Sequence, residues 1–168
     1  MTKPTRFGIG PRITLVTATY ATIAAMATFV WPDACLMRFF PASMWFAAGG
    51  ILIAIGVPWL AVAVTTVMRA YNRDQLATSG IFAVVRNPVY AAWIVFIGPG
   101  VMLLTRSWPL LLTPVVAYLT FRSLIHREDD YLAERFGRAY LDYRASVQEL
   151  FPFPRFRHSS MAARRGVH

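Results

Sequence analysis

Four long apolar runs that hold no charged residue constrain this chain more than any other feature. They cover 13–31, 44–68, 89–105 and 108–121, in a sequence that is 57% hydrophobic. At about 1.5 Å rise per residue, the first two can cross a hydrocarbon layer about 30 Å thick. The third nearly does, and we expect the fourth to tilt or to continue through Arg122 toward Ile125. The sequence therefore predicts an all-α polytopic membrane protein with about four transmembrane helices.

The charge distribution predicts which way these helices are inserted. The formal net charge is +9, and the basic residues concentrate before the first run, in the loop 69–88 and after the fourth run. The loops after the first and third runs hold only Arg38 and Arg106 as basic residues. Because cytoplasmic loops are enriched in Lys and Arg, we expect both termini to be cytoplasmic. This bias also accounts for the high isoelectric point without nucleic-acid binding.

The scarcity of lysine is typical of a bacterial protein, so we expect a multi-pass protein of a bacterial inner membrane. The first run is longer than a signal-peptide core and no small-residue cleavage pattern follows it, so we interpret it as a retained helix. Cys35 is the single cysteine, which excludes an intrachain disulfide and a cysteine metal cluster. His126, His158 and His168 are far apart in the sequence, and we expect no metal.

We interpret the chain as a single membrane domain, 1–168. Its first part, 13–68, holds the two N-terminal spans. A second region, 69–154, holds a helical hairpin that turns near 106–109 and a C-terminal helix, and a basic tail covers 155–168.

Residues 128–150 have the pattern of an amphipathic cytoplasmic helix that Gly137 could interrupt. Apolar side chains recur every three or four residues, which places them on one face. They are Leu132, Phe136, Tyr140, Tyr143, Val147 and Leu150. The opposite face is charged, which is the pattern of a helix with one solvent-exposed side.

Arg86-Asn87-Pro88-Val89-Tyr90 forms the entrance to the third run. Pro88 suits a first helical turn and Asn87 suits a cap. The free N–H groups of a helix start, together with the planar Arg86 guanidinium, also suit an anionic ligand group. The residues alone favour a plain helix start and a binding site about equally.

Glu128, Asp129 and Asp130 run against the positive charge of their surroundings. At the start of a helix they could simply oppose the helix dipole. Alternatively, a carboxylate here could lie near a bound cation or accept a hydrogen bond from a ribose. Glu128 is the acid that we expect to face the helical hairpin.

The order SGIF-x-x-x-RNP-x-Y, followed by ED-x-x-L-x-x-x-FG-x-x-Y-x-x-Y-x-x-x-V, resembles the isoprenylcysteine carboxyl methyltransferase family and the related phospholipid methyltransferases. The resemblance covers about 74–154, roughly half of the chain. It implies an integral-membrane enzyme that uses S-adenosylmethionine, with the cofactor in a cytosol-facing pocket. The cofactor-binding positions that it implies are Leu76, Asn87, Pro88, Val89, Tyr90, Glu128 and Tyr140.

The chain departs from the family pattern at one position of the cofactor segment and at one substrate-binding position. Asn87 replaces a histidine, so it can bind but cannot act as a general base near neutral pH. Leu124 replaces a substrate-binding arginine, and Arg86, Arg122 or Arg127 could take that role. With Glu128, these arginines are the candidate catalytic residues.

Methyl transfer from a sulfonium is an in-line displacement that depends on alignment and desolvation. An ionised carboxylate acceptor needs no base, whereas an amine would need one, such as Glu128 or Asp129. Carboxyl O-methylation of a lipophilic acceptor is the leading prediction, and phospholipid N-methylation is the alternative. A membrane assembly factor or transporter subunit is the non-enzymatic alternative. The sequence names neither the acceptor nor the oligomeric state.

Overall fold

The computed structural model describes residues 9–151, and the regular structure in that range is helical. The N-terminal lead and the basic tail, with His158 and His168, lie outside it. The helices are α1 Gly10–Val30, α2 Pro32–Cys35, α3 Ala42–Asn72, α4 Ile81–Val84, α5 Pro88–Ala91, a π-helical segment Ala92–Ile97, α6 Gly98–Thr105, α7 Trp108–Leu111, α8 Thr113–Phe136 and α9 Arg138–Ser146. The all-α prediction is confirmed.

Four helical stretches are long and apolar enough to cross a membrane: Gly10–Val30, Ala42–Asn72, Pro88–Thr105 and Trp108–Phe136. We call them spans one to four. Large apolar side chains cover their outer surfaces, and Phe29, for example, is 88% exposed. Since such a surface is unfavourable in water and suited to lipid, the protein is a multi-pass membrane protein, as predicted.

Glycines bring spans two and three into close contact. A Cβ atom placed on Gly49 would lie 2.6 Å from the carbonyl oxygen of Gly100, and one placed on Gly56 would lie 2.7 Å from Cβ of Phe96. Small residues at such positions let helix backbones approach, which is how helices associate in lipid. Span three also contacts span four, and span one packs against span four.

Span three is interrupted by the π-helical segment Ala92–Ile97. Pro99 lacks an N–H and its ring conflicts with a regular preceding turn. The helix accommodates it by widening, and the N–H of Gly98 donates to the carbonyl of Trp93, five residues earlier. The apolar run alone did not predict this widening, although proline in a helix is a known cause of such defects.

The predicted hairpin turn between spans three and four is present, at the end of the bundle opposite the start of span three. Arg106 has a left-handed backbone with φ of 54°. The hydroxyls of Thr28 and Ser107 are 2.7 Å apart, and the N–H of Met37 donates to the carbonyl of Arg106 at 2.8 Å. These bonds join the turn to the last helical turn of span one and to the segment that follows it.

The predicted start of the amphipathic helix at Glu128 is wrong. Helix α8 is continuous from Thr113 to Phe136, so Glu128 lies well inside it. The acids therefore cannot oppose a dipole at a helix start. The break at Gly137 is confirmed, because its φ of 55° and ψ of −132° form a conformation open mainly to glycine. Helix α9 ends at Ser146, before the predicted end.

Candidate functional site

The polar site lies at the end of the bundle where spans one and three begin and where spans two and four end. A Cβ atom placed on Gly10, at the start of α1, would lie 3.9 Å from the hydroxyl oxygen of Tyr90. Most of the described charged side chains lie at this end, whereas Arg38 and Arg106 belong to the opposite end. The membrane side of this end stays a prediction.

Tyr90 and Glu128 form the link between the start of span three and span four. The Tyr90 hydroxyl donates to Oε2 of Glu128 at 3.3 Å, and its ring lies 5.1 Å from the ring of Phe121. Both Tyr90 and Glu128 are half-buried. The expectation that they lie close together is confirmed, and their part in binding a cofactor stays a prediction.

Asp129 forms a buried ion pair beside this link. Its side chain is 4% exposed and that of Arg86 is 5% exposed, and the two are 2.9 Å apart. The Tyr140 hydroxyl donates to Oδ1 of Asp129, and Nε of Arg144 lies 3.5 Å from Oδ2, the oxygen that Arg86 also contacts. Because a buried charge needs a partner, this pair fixes the loop before span three against α8 and α9.

Two tyrosines of α9 form hydrogen bonds with the rest of the site. Burial, followed by the hydrogen bond to Asp129, raises the pKa of Tyr140. Burial also raises the pKa of Tyr143 to about 12, and its hydroxyl donates to the carbonyl of Phe82 at 2.7 Å. Both phenols therefore remain protonated donors throughout the physiological pH range.

Glu149 links the segment that follows α9 to the loop before span three. Its carboxylate accepts from Arg86 at 3.3 Å and from Arg122 at 2.6 Å. The backbone N–H groups of Arg86 and Asn87 donate to the carbonyls of Gln148 and Glu149, at 2.7 and 3.1 Å. We refer to residues 147–151 as the C-terminal strap.

The other residues that the sequence singled out are distributed around this core. Asn87 does not cap span three, because its side-chain Nδ2 donates to the Glu149 carbonyl instead, at 3.3 Å. Pro88 is buried, and its carbonyl accepts from Nε1 of Trp59 at 3.1 Å. Val89 is half-buried. Leu76 is also half-buried and packs against the apolar cluster of α9.

The three candidate arginines have different surroundings. Arg86 is buried and paired, while Arg122 is 57% exposed and paired with Glu149. Arg127 is exposed and directly precedes Glu128 in α8. Because an α-helix turns about 100° per residue, its side chain leaves the helix in a different direction from that of Glu128. Of these three arginines, Arg86 and Arg122 share a partner, the Glu149 carboxylate.

Glu149 was not predicted as a site residue, and Asp129 was expected to oppose a helix dipole or to act as a base, not to be buried in an ion pair. A signal for Asp129 was present, because α8 buries every fourth residue on one face. These residues are Thr113, Ala117, Phe121, Ile125 and Asp129. Continuing the apolar stripe past Ile125 places a carboxylate inside the protein. Glu149 follows the last helix, where periodicity gives no information.

Between residues 9 and 151, no group of three or more His, Cys, Asp or Glu side chains could hold a metal ion. The site is instead made of arginines, carboxylates and tyrosine hydroxyls. These features define a multi-pass helical membrane protein with a polar site at one end of its spans.

Residues 37–139 match the sequence model of the family described as phospholipid methyltransferase. The match covers more than half of the chain, so the chain belongs to this family, and the predicted family is confirmed. No solved structure matches the chain.

Several relatives are named protein-S-isoprenylcysteine O-methyltransferases. One from Dictyostelium discoideum is 29% identical over 127 residues, which is 68% of this chain and 53% of the relative. One from Rattus norvegicus is 30% identical over 155 residues, which is 79% of this chain and 51% of the relative. One from Schizosaccharomyces pombe is 35% identical over 82 residues, which is 48% of this chain and 35% of the relative. The chain therefore spans about half the length, or less, of these relatives.

Proposed function

We propose that this protein is an S-adenosylmethionine-dependent methyltransferase that acts on a lipophilic acceptor at the membrane surface. The observation that carries the proposal is the hydrogen bond between Tyr90 and Glu128. It brings the entrance of span three and a half-buried carboxylate of span four together in a member of a methyltransferase family.

The side chains at this end fit the cofactor chemically. Glu128 offers a half-buried carboxylate that could accept from ribose hydroxyls or lie near a cation, and Tyr90 offers an aromatic face. We assign cofactor binding to the segment 87–90, to Glu128 and to Leu76. Tyr140 is 1% exposed and donates to Asp129, so we assign it the positioning of that carboxylate.

When bound, the cofactor supplies a methyl group on a sulfonium centre. The chain would contribute alignment of the two reactants and exclusion of water. Arg86 supports this alignment by fixing the backbone before Asn87, since it pairs with Asp129 on span four. An acceptor could approach along the apolar surfaces of the spans, which suits a lipophilic molecule.

Carboxyl O-methylation is the acceptor chemistry that we propose first, because the relatives are named as O-methyltransferases. An ionised carboxylate needs no base. Arg122 is the half-exposed arginine beside the site, and it is our candidate for holding that carboxylate.

Phospholipid amine N-methylation is the second candidate. The description of the family favours it, and so does the pairing of Arg86 and Arg122 with carboxylates. An amine must lose a proton before it attacks, and Glu128 would be the base. By the positive-inside rule, we propose that either reaction takes place on the cytoplasmic side of a bacterial inner membrane.

Incubation of the purified protein with methyl-labelled S-adenosylmethionine and membrane lipid extract tests this function. We expect label in the organic phase, and the Glu128→Gln variant should transfer much less. Treatment with base releases volatile methanol from a methyl ester but not from an N-methylamine, which separates the two acceptors. No transfer to any lipid, together with no saturable binding of S-adenosylhomocysteine, would favour the non-enzymatic alternative.

A further inference from the structure

The Glu149 carboxylate occupies the position between two guanidinium groups. Oε1 accepts from Arg86 at 3.3 Å, and Oε2 accepts from Arg122 at 2.6 Å. Arg86 is buried and has a second carboxylate partner, Asp129. Arg122 is 57% exposed, and in the described part of the chain Glu149 is the acid paired with it. Arg122 is therefore the cation that a molecule outside the protein could reach.

We propose that Glu149 is a specificity-determining residue that competes with anionic acceptors for Arg122. The proposal rests on the methyltransferase function above and concerns the charge of the acceptor. An acceptor carboxylate can bind Arg122 only by displacing the Glu149 carboxylate. A neutral or cationic headgroup does not need this displacement.

The size of the effect follows from the surroundings of the pair. Glu149 is 23% exposed and Arg122 is more exposed, so solvent screens their attraction. Screened pairs of this kind correspond to a factor of up to about five in an equilibrium constant. Glu149 therefore tunes the preference among acceptors without abolishing the binding of carboxylates.

The C-terminal strap does not depend on the Glu149 carboxylate for its position. Backbone N–H groups of Arg86 and Asn87 hold its main chain, and the ring of Phe151 lies 6.1 Å from that of Tyr118. Arg86 also pairs with Asp129 at 2.9 Å, a contact that does not involve Glu149. A Glu149→Gln variant is thus expected to fold and to keep the strap in place.

The test measures the binding of two probes, a long-chain carboxylic acid and its primary amide with the same chain, to protein in non-ionic detergent. The observable is the ratio of the two dissociation constants, carboxylate over amide. Glu149→Gln should lower this ratio by a factor of up to about five. Glu134→Gln removes a negative charge from an exposed position of α8 and should leave the ratio unchanged.

Arg122→Gln provides the second arm. If Glu149 acts by competing for Arg122, its substitution should have no effect on the ratio once Arg122 is absent. An unchanged ratio in Glu149→Gln would overturn the proposal. An equal change in Glu134→Gln, or a full effect of Glu149→Gln in the Arg122→Gln background, would also do so. Binding of S-adenosylhomocysteine, measured on the same samples, tests the methyltransferase function separately.

Discussion

Replacement of Asp129 by alanine tests whether the buried ion pair organises the site. The change removes the carboxylate that accepts from Arg86 and from Tyr140. The Arg86 guanidinium stays buried, and its remaining acid partner is Glu149 at 3.3 Å. The Tyr140 hydroxyl, in a side chain that is 1% exposed, loses its acceptor.

The cost can be worked from these contacts. Removing one partner of a buried ion pair costs about 3–5 kcal/mol. We take about 3 kcal/mol because Glu149 can partly compensate Arg86, and add about 1 kcal/mol for the orphaned hydroxyl. A loss of about 4 kcal/mol is a large part of the stability of a typical domain. It corresponds to a decrease in Tm of about 8–16 °C for a chain of this size.

Thermal unfolding in detergent, followed by circular dichroism, measures this decrease. Asp130→Asn is the matched control, because Asp130 is the exposed neighbour of Asp129 and should change stability by no more than about 0.5 kcal/mol. Replacing the pair together, as Arg86→Met with Asp129→Leu, should recover part of the loss because no unpaired charge remains. A Tm for Asp129→Ala within about 2 °C of the wild type would refute the reasoning.

Three further predictions concern packing, pH and the reaction. Gly49→Ala should lower the Tm, because the new Cβ would lie 2.6 Å from the Gly100 carbonyl, whereas Gly50→Ala meets nothing within 4 Å and should not lower it. Tyr143 has a pKa of about 12, raised by burial, above the value of about 10 for an unfolded chain. Its contribution to stability is present below pH 10 and is lost as the pH rises toward 12, so between pH 9 and 11 the wild type should lose more stability than Tyr143→Phe. For a carboxylate acceptor, the methylation rate should change little above about pH 6, whereas an amine acceptor that needs a base would give a rising profile.

The spans were predictable because lipid imposes a simple rule on sequence. A charge-free run of sufficient length has few alternatives to a membrane helix. The four spans and the turn near Arg106 were therefore predicted from hydropathy and from the polar and proline residues between the runs. The break at Gly137 was also found, because a glycine between two amphipathic segments is a strong helix stop.

The continuity of α8 was not predicted, because charge was taken to end the membrane helix and begin a new one. A change from apolar to charged side chains does not end a helix, because the backbone hydrogen bonds of the helix do not depend on side-chain polarity. Residues from Glu128 to Phe136 extend span four beyond its apolar part. This continuity places Asp129 in line with Phe121 and Ile125 and makes it a buried residue.

Glu149 could not be found from the sequence, because its position depends on tertiary contacts. It follows α9 and has no helical periodicity. Its neighbours come from the loop before span three and from α8, at 63 and 27 positions away in the sequence. Pairings over such distances are determined by the packing of the helices.

The central claim is that Tyr90 and Glu128 together form the cofactor-binding site. Calorimetric titration with S-adenosylhomocysteine, on protein purified in detergent, tests it most directly. Hydrogen bonds to a charged group are worth about 1.5–3 kcal/mol, so Glu128→Gln should weaken binding by about tenfold or more. Tyr90→Phe should weaken it less, and the exposed control Glu134→Gln should bind as the wild type does. Wild-type affinity in Glu128→Gln, with a normal Tm, would contradict the account.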